Sequence, residues 1–280
     1  MQTVSNKTGY CETMQFTGER MVPDATEVAS VTFWEHIYRY KFACNYVVGK
    51  RVLDIACGEG YGTAAMARAG ATEVVGVDIS EETCVHAKRK YGVDARVGDA
   101  QAIPLADASV DLVVSFETLE HVDSPELFVK ECVRVLAPGG IIILSTPNKG
   151  IYRKDDEPNP FHCSELSDEE FSRLVAAHFR SYEMYMQSID QIKRSSLVSL
   201  CAYENPWKNI RGMNRLRMSL RNRLSGHVEG ELAENVRQNP LDVILTKDSY
   251  LSRFVNPYAV QKYIKRHAPL PQYLIAIATK

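Results

Sequence analysis

The sequence holds no run of the roughly eighteen consecutive apolar residues that a bilayer-spanning helix requires, and its opening, MQTVSNKTGYCETMQFTGER, has no apolar signal region. Together these absences lead to the expectation of a cytoplasmic protein with no membrane span. Neither sign of charge dominates: 33 Lys and Arg stand against 35 Asp and Glu, which argues against a polyanion-coating protein and against an acidic solvating tail. The seven cysteines, Cys11, Cys44, Cys57, Cys84, Cys132, Cys163 and Cys201, form no C-x-x-C pair. A chain of this size has no need of disulfide staples, so reduced thiols packed as small apolar groups are expected, with no nucleophile among them. Internal repeats and low-complexity tracts are also lacking. With 280 residues, 45% of them apolar, the chain is long enough for one large core with an insertion, or for two unequal domains.

What is present is a rhythm. Apolar, β-branched runs recur at 51–56 (RVLDIA), 73–78 (EVVGVD), 110–115 (VDLVVS) and 140–146 (GIIILST), with a shorter one at 93–97. Runs that are apolar on both alternations need cover on both faces, as in a parallel sheet between helical layers. Helices are predicted between them at 63–69, 81–91 and 125–136, the last stopped by Pro138-Gly139-Gly140. Helical spacing over 28–48 predicts a leading helix packed across the site. After Thr146 the pattern changes. Residues 147–160 read as a polar loop, Ser167-Asp168-Glu169-Glu170 caps a helix to about His178, and 182–188 and 273–279 read as strands closing the sheet as an antiparallel edge pair. The roughly eighty residues between those strands exceed any ordinary hairpin link, so 190–270 is expected to be a structured insertion.

The first strand runs directly into Cys57-Gly58-Glu59-Gly60-Tyr61-Gly62 and then a helix. Glycines there permit backbone angles closed to other residues and let a ligand approach the main chain near a helix N-terminus. The spacing is not the dinucleotide fingerprint G-x-G-x-x-G, and no P-loop lysine follows. Asp54 lies inside the first strand. Asp78 ends the second, where a carboxylate is placed to accept both hydroxyls of a ribose. An acid in the first strand, in place of a bare phosphate cradle, suits a cationic ligand.

These motifs, in this order, resemble the class I S-adenosylmethionine-dependent methyltransferases. VLDIACGEGYG matches their first motif, VVGVDIS their ribose-binding acidic motif and GDAQAIPL their adenine segment; VDLVVSFETLEHV and RVLAPGGIIILSTPN match the fourth-strand and fifth-strand motifs, over about residues 50–148. The resemblance implies an α/β fold: a doubly wound, Rossmann-like, mostly parallel seven-stranded sheet with an antiparallel edge strand and a mainly helical insertion. It divides the chain into an N-terminal helical cap (1–49), a cofactor-binding core (50–189), an insertion serving as lid or dimer element (190–270) and a last core strand (271–280). S-adenosyl-L-methionine is the implied cofactor. Gly58 and Gly60 would admit its methionine moiety, Asp54 would lie near its ammonium, Asp78 would hold the ribose, Asp99 with Ala100 would recognise adenine, and Phe116 would lie beside it. Ala56, Cys57, Tyr61 and Ile79 complete the implied cofactor set.

Glu117-Thr118-Leu119-Glu120-His121 carries more chemistry. In a helix, positions i, i+3 and i+4 share a face, so two carboxylates and an imidazole would converge, and a divalent cation would neutralise them. His162, in Asn159-Pro160-Phe161-His162 on the loop after the fifth strand, is the candidate fourth group at the same sheet edge. Glu117, Glu120, His121 and His162 are therefore the candidate catalytic residues and also the candidate ligands of a divalent metal such as Mg or Mn. The element resembles that of the ubiquinone-pathway O-methyltransferases and of the small-RNA terminal 2′-O-methyltransferases. General-base use of His121 or His162 without metal, and a purely structural role, stand beside that reading.

A hydroxyl nucleophile at neutral pH needs a base or a metal to lower its pKa, so the Glu/His set points to O-methylation. Lys193, Arg194, Lys208, Arg211, Arg215, Arg217, Arg221 and Arg223 share a span whose one acid is Glu204. That suits an anionic acceptor, with a solvated basic helix face as the plainer account. FTGERMVP, WEHIYRYKFA and NPFHCSEL are most similar to bacterial methyltransferases of surface-polysaccharide biosynthesis and sugar modification. The resemblance implies an O-methyltransferase acting on a sugar-containing, anionic small-molecule or glycan acceptor, with a homodimer as one assembly open to it and without a nucleic-acid partner. The alternatives are a metal-dependent RNA 3′-terminal 2′-O-methyltransferase, a small-molecule N- or O-methyltransferase of secondary metabolism, and a non-enzymatic cofactor- or partner-binding module. Glu19 and Arg20, or Tyr38 and Arg39, are candidates to close over the cofactor, with packing and surface roles as the plainer account.

Overall fold

A computed structural model describes residues 31–152, 161–187, 244, 261–262 and 273–280. The leading helix α1 (Val31–Ala43) precedes β1 (Arg51–Ile55), α2 (Tyr61–Arg68), β2 (Glu73–Asp78), α3 (Glu81–Tyr91) and β3 (Asp94–Val97). Then follow β4 (Val110–Ser115), α4 (Pro125–Val135), β5 (Leu136–Pro147), the short α5 (Lys149–Tyr152), α6 (Asp168–His178), β6 (Ser181–Gln187), β7 (Gln261–Lys262) and β8 (Tyr273–Thr279). They form one sheet in the order β3-β2-β1-β4-β5-β8-β6-β7. The first five of these strands run parallel.

The seven longer strands are those expected, and the two-residue β7 adds an eighth beyond β6. β8 is antiparallel to both β5 and β6, so the reversed strand lies inside the sheet. Its composition explains that position: Tyr273, Leu274, Ile275, Ala276 and Ala278 are all buried, and a strand so apolar is best covered on every side.

Neighbouring residues of each central strand face opposite layers, as a pleated strand requires. Val52, Leu112, Val114, Ile143 and Ile275 pack with Ile37 and Tyr40 of α1 and Ala65 and Met66 of α2. Leu53, Val113, Ile142, Leu144 and Leu274 pack on the other face with Phe128 and Cys132 of α4 and Phe171 of α6.

Local signals set the helix ends. Ser80 caps α3 by accepting the Thr83 N–H, and Gly92 in left-handed conformation (φ 69°) ends it. Ser124 caps α4 with Pro125 in its first turn, and Ser167 with Glu170 forms a reciprocal capping box on α6. Pro138-Gly139-Gly140 does not make the expected stop-and-turn. β5 already begins at Leu136, paired with Val110, and the three residues fall where the β4–β5 register shifts, with Gly139 at φ 77°.

Cys57, Cys84 and Cys132 are buried, Cys44 is half-buried, Cys163 is exposed, and all five are free thiols. No described helix is long and apolar enough to cross a membrane. Apart from buried Ile244 and β7, the expected insertion at 190–270 and its basic residues lie outside the described residues, as do Cys11, Glu19, Arg20 and Cys201.

Candidate functional site

The carboxyl ends of β1, β2, β4 and β5 lie side by side, and the chemistry-bearing residues gather there. After β1 the chain turns sharply, with Ala56 (φ 58°), Gly58 (φ 55°) and Gly60 (φ 88°) in left-handed conformation. The Cys57 N–H donates to the Val77 carbonyl at 3.0 Å. The Gly58 N–H donates to Asp78 Oδ2 at 2.9 Å, and the Ser80 N–H to Asp78 Oδ1 at 3.0 Å. Each oxygen of Asp78 thus accepts one backbone N–H, while a carboxylate offers about four acceptor positions, enough to take ribose hydroxyls as well. Ile79, next to it, stands 74% exposed, a bare apolar side chain suited to cover by a planar ring. The Gly98 N–H donates to the Asp78 carbonyl at 3.0 Å, which ties the implied adenine segment to the same edge. There Asp99 is exposed, its Oδ1 accepting the Gln101 N–H at 2.8 Å, and Ala100 is half-buried.

Two glycines of the turn serve helix packing. A Cβ on Gly60 would lie 2.6 Å from Ala87 Cβ of α3, and one on Gly62 would lie 2.1 Å from the Tyr40 ring of α1. Glu59 points away from the cleft and is buried. Its Oε1 accepts Lys90 Nζ at 2.8 Å and lies 2.8 Å from His86 Nε2, which fastens the turn to α3.

Asp54 is buried at the base of the cleft and accepts hydrogen bonds from Thr63 Oγ1 at 2.6 Å and Tyr40 Oη at 3.2 Å. Burial pushes its carboxyl up to about 7, against the pull of those two hydrogen bonds. The Tyr40 ring meets Tyr61 and Phe116 edge-on at 5.2 and 5.1 Å, so a buried acid sits beside an aromatic wall.

The 117–121 segment is not the α-helix that would align all its polar side chains. Glu117 takes a left-handed conformation (φ 54°), costly for a residue with a Cβ, and Leu119–His121 forms a single 3-10 turn. Of the four candidate ligands, three come together. Glu120, His121 and His162 each offer a ligand atom within 4.8 Å of the others, and Glu117 lies outside this trio. Its Oε1 instead accepts from Ser145 Oγ at 2.7 Å and lies 3.9 Å from Arg39 Nη1. His121 Nε2 is 4.0 Å from Glu120 Oε1, and the His121 and His162 rings meet edge-on at 5.0 Å. Glu120 is almost wholly buried. Burial first, then the neighbouring Glu117, drives its carboxyl well above the usual carboxylate range.

Arg39 does not close over the cleft. It is 1% exposed and part of the packing, as is buried Tyr38. Its Nη1 donates to Gln187 Oε1 at 2.9 Å, its guanidinium lies 4.6 Å from the Tyr273 ring centre, and its Nε has no partner among the described residues. Tyr273 Oη donates to Glu35 Oε2 at 3.1 Å and Gln187 Nε2 to the Glu35 carbonyl at 3.1 Å. Burial pushes Glu35 up to about 7.

Sequence reasoning missed Glu59, Glu35, Gln187 and Glu165. The H-x-x-E spacing of His162 and Glu165 was a usable signal, since their side chains pair at 3.0 Å. Nothing local links Arg39 with Gln187, 148 residues away.

Residues 53–144 match the family described as methyltransferase domain. A probable S-adenosylmethionine-dependent methyltransferase of Mycolicibacterium smegmatis is 40% identical over 165 residues, 58% of this chain and 63% of that protein. A ubiquinone biosynthesis O-methyltransferase of Idiomarina loihiensis is 43% identical over 109 residues, 37% of this chain and 44% of that protein. The chain therefore spans less than two thirds of the length of these curated relatives. Crystal structures of a SAM-dependent methyltransferase from Thermotoga maritima and another from Archaeoglobus fulgidus share the fold at TM-scores of 0.53 and 0.51, with 17% and 19% identity. Each match covers 88% of this chain, and 91% and 93% of those chains respectively. The architecture is the Rossmann-like fold of SAM-dependent methyltransferases.

Proposed function

We propose that the chain is an S-adenosylmethionine-dependent O-methyltransferase acting on a sugar-containing, anionic acceptor, with a divalent cation held by Glu120, His121 and His162. The observation that carries the methyltransferase reading is the junction of Gly58 with Asp78: a glycine turn after β1 fastened to the acid that ends β2, with Ile79 bare beside it. In this reading Asp78 holds the ribose, Ile79 and Ala100 cover the adenine, Asp99 meets its edge, and Asp54 faces the methionine ammonium.

Methyl transfer is an in-line displacement at an already activated carbon, so the protein has to align the attacking atom and deal with its proton. The donor set fits a cation: one buried carboxylate and two imidazoles is a ligand combination first-row divalent metals accept. When bound, the cation would lower the pKa of the acceptor's hydroxyl. In this reading Glu117, which accepts from Ser145 and lies near Arg39 just after β4, takes up that proton. The ubiquinone-pathway name of one relative supports transfer to oxygen, and the basic series from Lys193 to Arg223 supports an anionic acceptor.

Calorimetry with S-adenosylhomocysteine tests the cofactor reading, and absence of heat would overturn it. Turnover of S-adenosylmethionine against a panel of phosphorylated and nucleotide-linked sugars, with neutral sugars and short RNA as the contrasting arms, tests the acceptor. Methylation confined to neutral sugars or RNA would discard the anionic-sugar reading.

A further inference from the structure

The loop at 161–166 orients both imidazoles of the trio. His162 Nδ1 lies 3.0 Å from Glu165 Oε1, with the two side chains only 6% and 7% exposed. A carboxylate at that distance selects the proton's position on a neutral ring: Nδ1 becomes the donor, and Nε2 is left as the basic nitrogen. His121 is treated alike from the same loop. Its Nδ1 lies 2.9 Å from the Phe161 carbonyl, which can only accept, so Nδ1 is the donor there, and Nε2 lies 4.0 Å from Glu120 Oε1. The loop is in turn held by Glu120 itself, whose carbonyl accepts the Cys163 N–H at 2.7 Å and the Ser164 N–H at 3.1 Å. The side chain of Glu120 belongs to the trio, and its main chain secures the segment that aims the other two members.

We propose that Glu165 is a positioning residue of the cation site, fixing the tautomer and ring orientation of His162. The proposal rests on the cation reading given above. A histidine that ligates a metal normally donates its other ring N–H to a carboxylate or carbonyl, and loss of such a partner typically weakens metal affinity by about 10–100-fold. The pairing of two nearly buried groups would also serve packing alone, so the test needs a readout that packing does not move.

Manganese(II) is titrated into the metal-free full chain and followed by the electron paramagnetic resonance signal of the free ion. In parallel, long-range 15N correlation spectra of the metal-free protein at a pH where His162 is neutral report its tautomer. Wild type is expected to bind the ion, Glu165→Leu to weaken it by about 10–100-fold, and Glu165→Gln, which keeps an acceptor, to lose less than the leucine variant. His162 is expected as the Nδ1–H form in wild type and as a mixture, or mainly Nε2–H, in the leucine variant. Affinity within about twofold of wild type in Glu165→Leu, or an Nε2–H His162 in wild type, overturns the role of Glu165 while leaving the cation site standing. No manganese binding by wild type overturns both. Should the leucine variant fail to fold, the wild-type tautomer decides alone.

Discussion

Asp78 Oδ2 accepts the N–H of Gly58 at 2.9 Å, which makes the acid ending β2 and the glycine after β1 one unit before any ligand arrives. Asp78→Ala removes the proposed ribose acceptor and leaves that N–H without its partner. Affinity for S-adenosylhomocysteine is expected to fall by about 10–100-fold, roughly 1.4–2.8 kcal/mol, measured by calorimetry. An unchanged dissociation constant would remove Asp78 from the cofactor site.

Asp54 is expected to make stability and affinity for S-adenosylhomocysteine respond to pH in opposite directions. Its folded pKa of about 7 stands above the ordinary 3.8, so between those values the native state holds more protons than the unfolded chain. Stability contributed by the neutral form is complete below about pH 4 and is lost as pH rises through 7. Glu35 adds to the same fall. Denaturant melts from pH 5 to 8 should show the decline, on the order of 3 kcal/mol for each group, and Asp54→Asn should flatten its share. An ammonium held against Asp54 prefers the ionised acid, so affinity for S-adenosylhomocysteine should rise over the same range in wild type and stay level in Asp54→Asn. A wild-type affinity independent of pH would place the ammonium elsewhere.

Only one of the two glutamates in the E-x-x-E-H element should matter to the ion. Glu120→Gln is expected to abolish manganese binding, whereas Glu117→Gln should leave it within about twofold, because Glu117 is engaged by Ser145 and Arg39 outside the trio. Equal losses in both variants would restore a four-residue site.

Arg39→Met should be costly although it removes no exposed group. The buried guanidinium lies 3.9 Å from half-buried Glu117 and donates to Gln187, and removing one partner of a buried pair costs about 3–5 kcal/mol. Urea denaturation checks the loss. A change under about 1 kcal/mol would mean that the carboxylate takes up a proton at little expense.

The sheet was legible in the sequence because its strands are apolar on both alternations, and α6 because Ser167 and Glu170 announce its start. Asp54, Asp78 and the glycine turn were legible for the same reason: strand ends fix where such residues must stand. The trio was only partly so. That His162 would join His121 follows from both lying at one edge of the sheet, but the exit of Glu117 depends on a left-handed residue at the end of β4, and nothing in Glu-Thr-Leu announces one. The place of β8 inside the sheet was hidden too, since strand order is decided by burial contributed from distant parts of the chain. The burial of Glu59 was hidden because its partners, His86 and Lys90, lie on the next helix.

Gln187 and Tyr273 are direct cross-strand partners, and both are gripped by Arg39. Eighty-five positions, 188 through 272, thus separate the two residues of a single rung, and among them β7 pairs with β6 and Ile244 is buried in the core. Because closing a longer loop adds only about 0.6 kcal/mol per doubling, a change in chain length between Gln187 and Tyr273 that keeps β7 and Ile244 in place costs the sheet little.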